Sequence, residues 1–314
     1  MIAIGIESTA HTFGVGAVDE KGNVLANETD SYKTESGGML LDQVAKHHEA
    51  VVDGMIEKVL EIVGTENIGI VAYSAGPGLT PALFVGFKKA KELAARLGKP
   101  LVGINHCAAH LSIGEITTGT KNPVFLYVSG VNTQVISYEG GKFRILGETL
   151  DVGLGNALDK FGRDIGLGFP AGAKIEEMAR RGKYIVLPYT VKGMDVSFSG
   201  ILTKIQNLYK KGASPEDLCF SFQETAFAMM AEVAERAMAH VDKQELLLVG
   251  GVAANKKFCE MLQIMCEERG AKFFKCPMQY CGDQGAMIAW EGLIRFKEKR
   301  FITEINPYWR VDEV

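Results

Sequence analysis

One pattern occurs twice in this chain, and it narrows the possible folds more than any other feature. Ile2 to Ile6 is a short apolar strand, Glu7 to Thr12 a small polar turn, and Phe13 to Val18 a second strand. Asp19 to Asn23 then turns into a third strand, Val24-Leu-Ala. From Val124 the design returns: a strand, a small polar turn from Ser129 to Thr133, and a strand to Tyr138. Glu139-Gly-Gly turns into one more strand ending near Leu146. The repeat is one of pattern, not of residue identity. A hairpin sheet that runs on into alternating helices and apolar strands predicts an α/β lobe. Its duplication predicts two lobes with a cleft between them. The length, 314 residues, also exceeds one comfortable core.

The segments between the hairpins fit that reading. Leu40 to Val63 keeps apolar residues at three/four spacing and predicts a long amphipathic helix. His47 and His48 lie within it and read as partly exposed surface groups, since adjacent residues on a helix do not share a face. Ile68 to Ser74 reads as a strand. Ala75-Gly-Pro-Gly-Leu-Thr80 follows as a glycine-rich turn before a helix from Pro81 to Leu97, with Gly98 as its stop. Such a turn is a general anion-binding device, but it matches neither the dinucleotide nor the P-loop pattern. Thr117 to Pro123 is a polar linker. The expected division is residues 1–118 joined by about 290–314, and 119–289 with a helical insertion at about 150–215.

Pro100-Leu-Val-Gly-Ile reads as a buried strand, and after it the pattern becomes helical. His106 and His110 are four residues apart, so on a helix both imidazoles leave from one face and can share one ion. Two satisfied polar side chains on a half-buried helix are the plain alternative. In the second half, helices are expected at Leu154 to Gly166, Ala173 to Arg181, about 201–211 and 215–241. Glu245 to Val249 is a strand running into Gly250-Gly-Val-Ala-Ala-Asn255 and a helix. That turn suits the close approach of a nucleotide or is a plain strand-to-helix connection. Asp283, in Tyr280-Cys-Gly-Asp-Gln-Gly-Ala286, opens the last long helix as an N-cap or completes a His/His/Asp set.

Composition limits the function classes. Net charge is −4, so a general electrostatic footprint for nucleic acid is absent. If the chain works on RNA, partners or local basic pairs such as Lys88-Lys89 and Lys256-Lys257 must supply the positive charge. Six cysteines without a CxxC pair read as reduced thiols. Cys276 and Cys281 fit core or loop thiols better than a zinc site. The 36 glycines, against a usual ~7%, fit tight turns and close backbone approaches. Met1 leads straight into a strand and no 18-residue apolar span is visible, so a soluble, cytoplasmic chain without membrane contact is expected.

Eight ordered blocks resemble one family, the universal tRNA threonylcarbamoyladenosine synthases, formerly described as O-sialoglycoprotein endopeptidases. The blocks are residues 5–14, 74–79, 105–110 (Asn-His-Cys-Ala-Ala-His), 127–134, 155–160, 197–200 (Ser-Phe-Ser-Gly), 250–255 and 281–287. The resemblance covers essentially the whole chain, and the tail Trp309-Arg-Val-Asp-Glu-Val is similar to the archaeal and eukaryotic branch, the catalytic subunit of the KEOPS complex. It implies the duplicated two-lobed fold of actin, Hsp70 and the sugar kinases. It also implies one divalent ion, iron or zinc, in the cleft on His106, His110 and Asp283, with the Tyr127 hydroxyl close to it or bound. Tyr127, Val128, Ser129, Gly130, Val131, Asp159, Gly172, Glu176 and Asn255 would hold the nucleotide part of the substrate. The reaction would move a threonylcarbamoyl group from threonylcarbamoyl-AMP to the exocyclic amine of adenosine 37 in tRNAs reading codons that begin with A. Implied partners are tRNA, a kinase, fused in some members, a small dimerising subunit and a further accessory protein. Val131, Gln284 and Ala171 depart from the usual family pattern. Val131 is β-branched and would crowd a close backbone approach.

The residues alone leave the catalytic base open. Glu7 and His11, on the first hairpin, are candidates for taking the amine proton or simply for hairpin hydrogen bonds. A phosphotransferase of the same fold gains nothing from the His pair. A metallopeptidase of the H-E-x-x-H kind needs a Glu beside the first His, where Cys107 stands. A nucleotide-binding scaffold without turnover is the remaining alternative.

Overall fold

The computed structural model describes residues 1–33 and 40–314. Along the chain the first elements are β1 (Ile2–Glu7), β2 (Thr12–Asp19), β3 (Val24–Ser31), α1 (Leu41–Val63), β4 (Ile68–Gly76), α2 (Thr80–Leu97), β5 (Leu101–Asn105) and α3 (His106–Thr118). The second set begins with β6 (Val124–Val128), β7 (Thr133–Glu139), β8 (Lys142–Glu148), α4 (Leu154–Asp164) and α5 (Gly172–Ala179). There follow β9 (Val191–Lys192), β10 (Asp195–Val196), α6 (Ser199–Lys210), α7 (Pro215–His240), β11 (Glu245–Val249), α8 (Lys256–Glu268), β12 (Lys272–Lys275), α9 (Met278–Cys281) and α10 (Gly285–Glu298). The chain divides into two compact units, Met1–Ile116 with Gly282–Val314, and Thr117–Cys281.

In the first unit the sheet order is β3-β2-β1-β4-β5. The β1–β2 and β2–β3 pairs are antiparallel, while β4 and β5 run parallel to β1. The period of two along β1 assigns its faces. Ile4 and Ile6 join Phe13, Val15, Val52, Ile56, Val59 and Tyr73 in one buried cluster with α1 and α2. Gly5 meets α10 instead: a Cβ there would sit 2.2 Å from the Ala289 nitrogen. Glu7 shares the parity of Gly5. Gly98 stops α2 with φ +63°, its N–H bonded back to the last turn.

The second unit repeats the topology. Its sheet order is β12-β11-β6-β7-β8, with β6–β7 and β7–β8 antiparallel and β11 and β12 parallel to β6. Reading β6 for β1 and β11 for β4 superposes the two orders, so the duplication expected from the strand pattern is the architecture. Ser214 caps α7, its side chain accepting from the Asp217 nitrogen. The helix buries Phe222 and Phe227, and Phe227 stacks on Phe258 of α8 with ring centroids 4.7 Å apart. All six cysteines are free thiols, and Cys276 and Cys281 are buried. Among the described residues, no helix is long and apolar enough to cross a membrane.

Candidate metal centre

Three segments of the first unit converge on the two histidines. Asn105 ends β5 and caps α3, its Oδ1 accepting from the Ala108 nitrogen at 3.0 Å. Its Nδ2 donates to the Trp309 carbonyl at 3.0 Å, so the C-terminal segment holds the same residue. His106 therefore opens the helix, and His110 follows one turn later on the same face, ring centroids 4.7 Å apart. Asp283 arrives just ahead of α10. That helix can start there because glycines let it touch the sheet: a Cβ on Gly16 would lie 2.3 Å from the Ala286 nitrogen, and one on Gly285 2.1 Å from the Gly16 nitrogen. Gln284 is the helix cap, accepting from the Met287 nitrogen at 3.0 Å. The N-cap alternative for Asp283 is thus overturned, and its carboxylate is turned to the histidines.

His110 Nε2 lies 3.2 Å and His106 Nε2 3.6 Å from Asp283 Oδ1. One ligand atom from each of the three residues falls within 4.8 Å of the others. Two imidazoles and a carboxylate suit a divalent transition ion such as zinc or iron, so the residues fit the metal the resemblance implies. On the other side of His106, Nδ1 is 2.9 Å from Glu7 Oε2 and 3.2 Å from the Thr9 hydroxyl. The Thr9 N–H and hydroxyl both donate to Glu7 Oε1 at 2.6 Å. Glu7 is fully buried.

The electrostatics follow from that packing. Burial works to lower His106, but the charge and hydrogen bond of Glu7, with the charge of Asp283, raise it to about 9. Burial lowers His110 from its ordinary value, against the hydrogen bond to Asp283. Burial also works to raise the Asp283 carboxyl, yet the His110 hydrogen bond and the charges of His106 and His110 hold it well below the usual range. Below about pH 9 the centre thus sets an ionised carboxylate against a His106 imidazolium and a neutral His110, and His106 Nε2 must lose its proton before it can ligate an ion. His11 lies half-buried in the turn after β1, its carbonyl accepting from the Tyr32 nitrogen at 2.8 Å.

The first unit corrects two expectations. His48 is fully buried, its Nε2 2.9 Å from the Ala10 carbonyl and its Nδ1 3.2 Å from His47 Nδ1. The long helix packs over the β1–β2 turn, and adjacent rings meet by bending towards each other. The turn at Ala75 to Thr80 is not an open anion cradle. Gly78 donates to the Pro307 carbonyl at 3.1 Å and Leu79 to the Thr9 carbonyl at 2.8 Å. A Cβ on Gly76, where φ is +149°, would lie 1.8 Å from the Asn306 carbonyl oxygen. The glycines there admit the C-terminal segment of the chain itself.

The remaining expected site residues belong to the second unit. Tyr127 is the last residue but one of β6, fully buried, and its hydroxyl accepts from Asn132 Nδ2 at 3.4 Å. Val128 is buried and Val131 is exposed on the following loop. Ser129 Oγ accepts from the Asn132 nitrogen at 3.0 Å. The Ser129 and Gly130 carbonyls accept from Gly155 and Asn156 at the start of α4, at 3.1 and 2.9 Å. Gly153 permits the contact, since a Cβ there would sit 2.3 Å from the Val131 carbonyl oxygen. Asp159, further along α4, accepts from the Ala171 nitrogen at 2.7 Å, beside Gly172 at the start of α5. Burial raises its carboxyl against that hydrogen bond. Glu176 of α5 accepts from the Lys256 nitrogen at 3.0 Å. Asn255 caps α8 through Phe258 and donates to Gln223 Oε1 at 2.6 Å. A continuous run of hydrogen bonds therefore links the 129–132 loop to α4, α4 to α5, and α5 to α8.

Two structural residues escaped sequence reasoning. Asn105 had a usable signal, a helix-capping residue type directly before the histidine helix. Asp151 had none, for its partners are distant in sequence: it accepts from the Phe198 and Ser199 nitrogens at 3.0 Å and from the Ser197 and Ser199 hydroxyls. These bonds hold it well below the usual carboxylate range, against the partial desolvation of the carboxyl.

Among solved structures, HypF from T. kodakarensis aligns with a TM-score of 0.65 at 17% identity, covering 96% of this chain and 48% of that one. The activator of 2-hydroxyisocaproyl-CoA dehydratase from Clostridium difficile aligns at 0.54 and 12%, covering 96% and 97%. Both likenesses concern the fold, the duplicated actin-like architecture. By sequence, tRNA N6-adenosine threonylcarbamoyltransferases from Archaeoglobus fulgidus and Thermococcus kodakarensis are 51% and 52% identical, over 100% of this chain and 98% of each relative. A probable bifunctional tRNA threonylcarbamoyladenosine biosynthesis protein from Methanocaldococcus jannaschii is 48% identical over 100% of this chain and 60% of its own length. The family model for tRNA N6-adenosine threonylcarbamoyltransferase matches residues 23–290. With the family match and full-length identities near one half, the chain belongs to the tRNA N6-adenosine threonylcarbamoyltransferase family.

Proposed function

We propose that this chain transfers the threonylcarbamoyl group of threonylcarbamoyl-AMP to the exocyclic amine of adenosine 37 in tRNAs reading codons that begin with A, releasing AMP. The observation that carries the reading is the convergence of His106, His110 and Asp283 in a chain about half identical to named transferases. In the step, a bond forms between the adenine nitrogen and the carbamoyl carbon. The bond from that carbon to the phosphate oxygen of AMP breaks, AMP leaves with the electron pair, and the proton of the amine is released to water. The adenine amine is a poor nucleophile, so the carbamoyl carbonyl of the donor must be polarised and the two substrates aligned.

His106, His110 and Asp283 would hold one divalent ion, iron or zinc, with Tyr127 as a further ligand. Such an ion supplies Lewis acidity towards a carbonyl when bound. The burial of both imidazoles and the ionised state of Asp283 set two imidazole nitrogens and a carboxylate oxygen side by side for it, once His106 Nε2 has given up its proton. The nucleotide part falls to Tyr127, Val128, Ser129, Gly130, Val131, Asp159, Gly172, Glu176 and Asn255. The hydrogen-bond run from the 129–132 loop to α8 keeps these positions fixed relative to one another within the second unit. The chain works in the cytoplasm with a kinase and a small dimerising subunit, as in KEOPS; the bifunctional relatives, which extend well beyond this chain, support partnership with a further domain.

The test is incorporation of radiolabelled threonine into tRNA in a reconstituted reaction with the partner proteins. The wild-type chain is expected to label tRNA, and His106→Ala to fall at least about 100-fold, as for loss of a metal ligand or its polarising role. Undiminished labelling by His106→Ala refutes the metal role. No label in tRNA, with peptide cleavage or entry of phosphate into a small metabolite in its place, refutes the transfer.

A further inference from the structure

Glu7 was open between two roles, a base for the substrate amine and a hairpin hydrogen bond. Its surroundings bear out the hairpin hydrogen bond, made with Thr9, and add a second role, the contact with His106. The carboxylate is fully buried, and both oxygens are engaged by donors of the protein. Oε1 accepts from the Thr9 N–H and hydroxyl, each at 2.6 Å, and Oε2 from His106 Nδ1 at 2.9 Å. A carboxylate so engaged lies behind the imidazole, away from the group of donors formed by His106, His110 and Asp283.

An imidazole has two nitrogens, and the partner of one fixes the state of the other. With Nδ1–H given to Glu7, Nε2 is the nitrogen that faces Asp283 and that, once it has lost its proton, is left for an ion. The distances agree: Nε2, not Nδ1, is the atom 3.6 Å from Asp283 Oδ1. Thr9 completes the device. By filling Oε1 it directs Oε2 at the ring and prevents the carboxylate from swinging. The contact spans 99 positions of sequence, from the end of β1 to the start of α3, so it exists only because β1 and β5 run parallel in one sheet.

We infer that Glu7 is a positioning residue, buckled by Thr9, that sets the tautomer and orientation of His106 for metal ligation. The inference rests on the metal reading above. Its partners act through His106, so Glu7 touches neither substrate nor ion. Outer carboxylates of this kind change metal affinity by about 10–100-fold when removed.

The experiment measures the affinity of the metal-stripped full chain for Zn²⁺ by competition with a chromophoric chelator, and follows threonine labelling of tRNA as Zn²⁺ is raised. Glu7→Gln keeps the shape and removes the charge. Its dissociation constant is expected to rise about 10–100-fold, with labelling restored at saturating metal. An unchanged dissociation constant in the folded variant overturns the inference. So does labelling that stays lost with metal bound, the result for a direct catalytic base. Should Glu7→Gln fail to fold, Glu7→Asp, which withdraws the carboxylate from the ring, carries the same two outcomes. Failure of the underlying metal reading looks different: wild type would bind no Zn²⁺, or His106→Ala would bind it as tightly as wild type.

Discussion

His48 carries the clearest pH dependence in the first unit. Burial lowers its imidazole to about 4, opposed by the Ala10 carbonyl, with His47 nearby adding to the fall. In the unfolded chain it titrates near 6.5. Between these values the unfolded state holds the extra proton, so stability is complete above pH 6.5 and declines as pH falls towards 4. The loss is on the order of 3 kcal/mol. Urea unfolding at pH 7.5 and pH 5 is expected to show about 2 kcal/mol of it, and His48→Gln, which can still donate to Ala10, to show markedly less. An equal decline in the variant contradicts the assignment. Nothing in the helical spacing around His48 announced this burial, because what covers the residue is the turn at Ala10, 38 positions earlier. Asn105 is the opposite case: it was missed in the sequence although its residue type, directly before the histidine helix, signals a cap. Asn105→Ala is expected to cost about 1–2 kcal/mol in unfolding free energy, the usual loss of a cap, and to weaken metal affinity because the histidine helix starts there. A variant with wild-type stability and metal affinity contradicts this.

At the scale of elements, α10 sits where it does because three strand glycines, Gly5, Gly14 and Gly16, face it. Gly16→Ala would drive a Cβ to 2.3 Å from the Ala286 nitrogen, backbone that has no rotamer with which to yield. The strand and helix must part, at a cost of about 1–3 kcal/mol or more, and Asp283 moves with the helix. Thermal melting and Zn²⁺ affinity are both expected to fall. Gly54, exposed in α1 with nothing within 4 Å of a Cβ, gives the control: Gly54→Ala should stabilise by about 0.5–1 kcal/mol. A Gly16→Ala chain as stable and as metal-competent as wild type contradicts the account of α10. Individual elements were well legible. The stop of α2 at Gly98, the strand at Glu245–Val249 and the shared face of His106 and His110 all follow from local patterns. The turn at Ala75–Thr80 was not, because its N–H groups are taken by carbonyls at Thr9 and Pro307, far away in sequence. A glycine-rich turn accommodates an anion or another stretch of backbone with the same residues, and only tertiary structure distinguishes the two.

For the whole molecule, the repeat of strand pattern was enough to anticipate the duplicated topology, since each hairpin is followed by strands that add in parallel. It could not bring Asp283 to the histidines. That depends on how α10 crosses β1 and β2, a packing relation with no local signature beyond scattered glycines; the family resemblance, not spacing, supplied it. Charge is a property of the same scale. With a net charge of −4, the chain by itself is expected to bind tRNA weakly and with steep salt dependence. Filter binding in the nanomolar range at physiological salt, without partners, contradicts that expectation. The central claim concerns one ion and three side chains. Anomalous diffraction at the zinc and iron edges, from crystals of protein active in tRNA threonylcarbamoylation, tests it most directly. The account predicts a single peak at about 2.0–2.2 Å from one nitrogen of His106, one nitrogen of His110 and an oxygen of Asp283. Active protein with no peak there, or with its metal held by other residues, contradicts it.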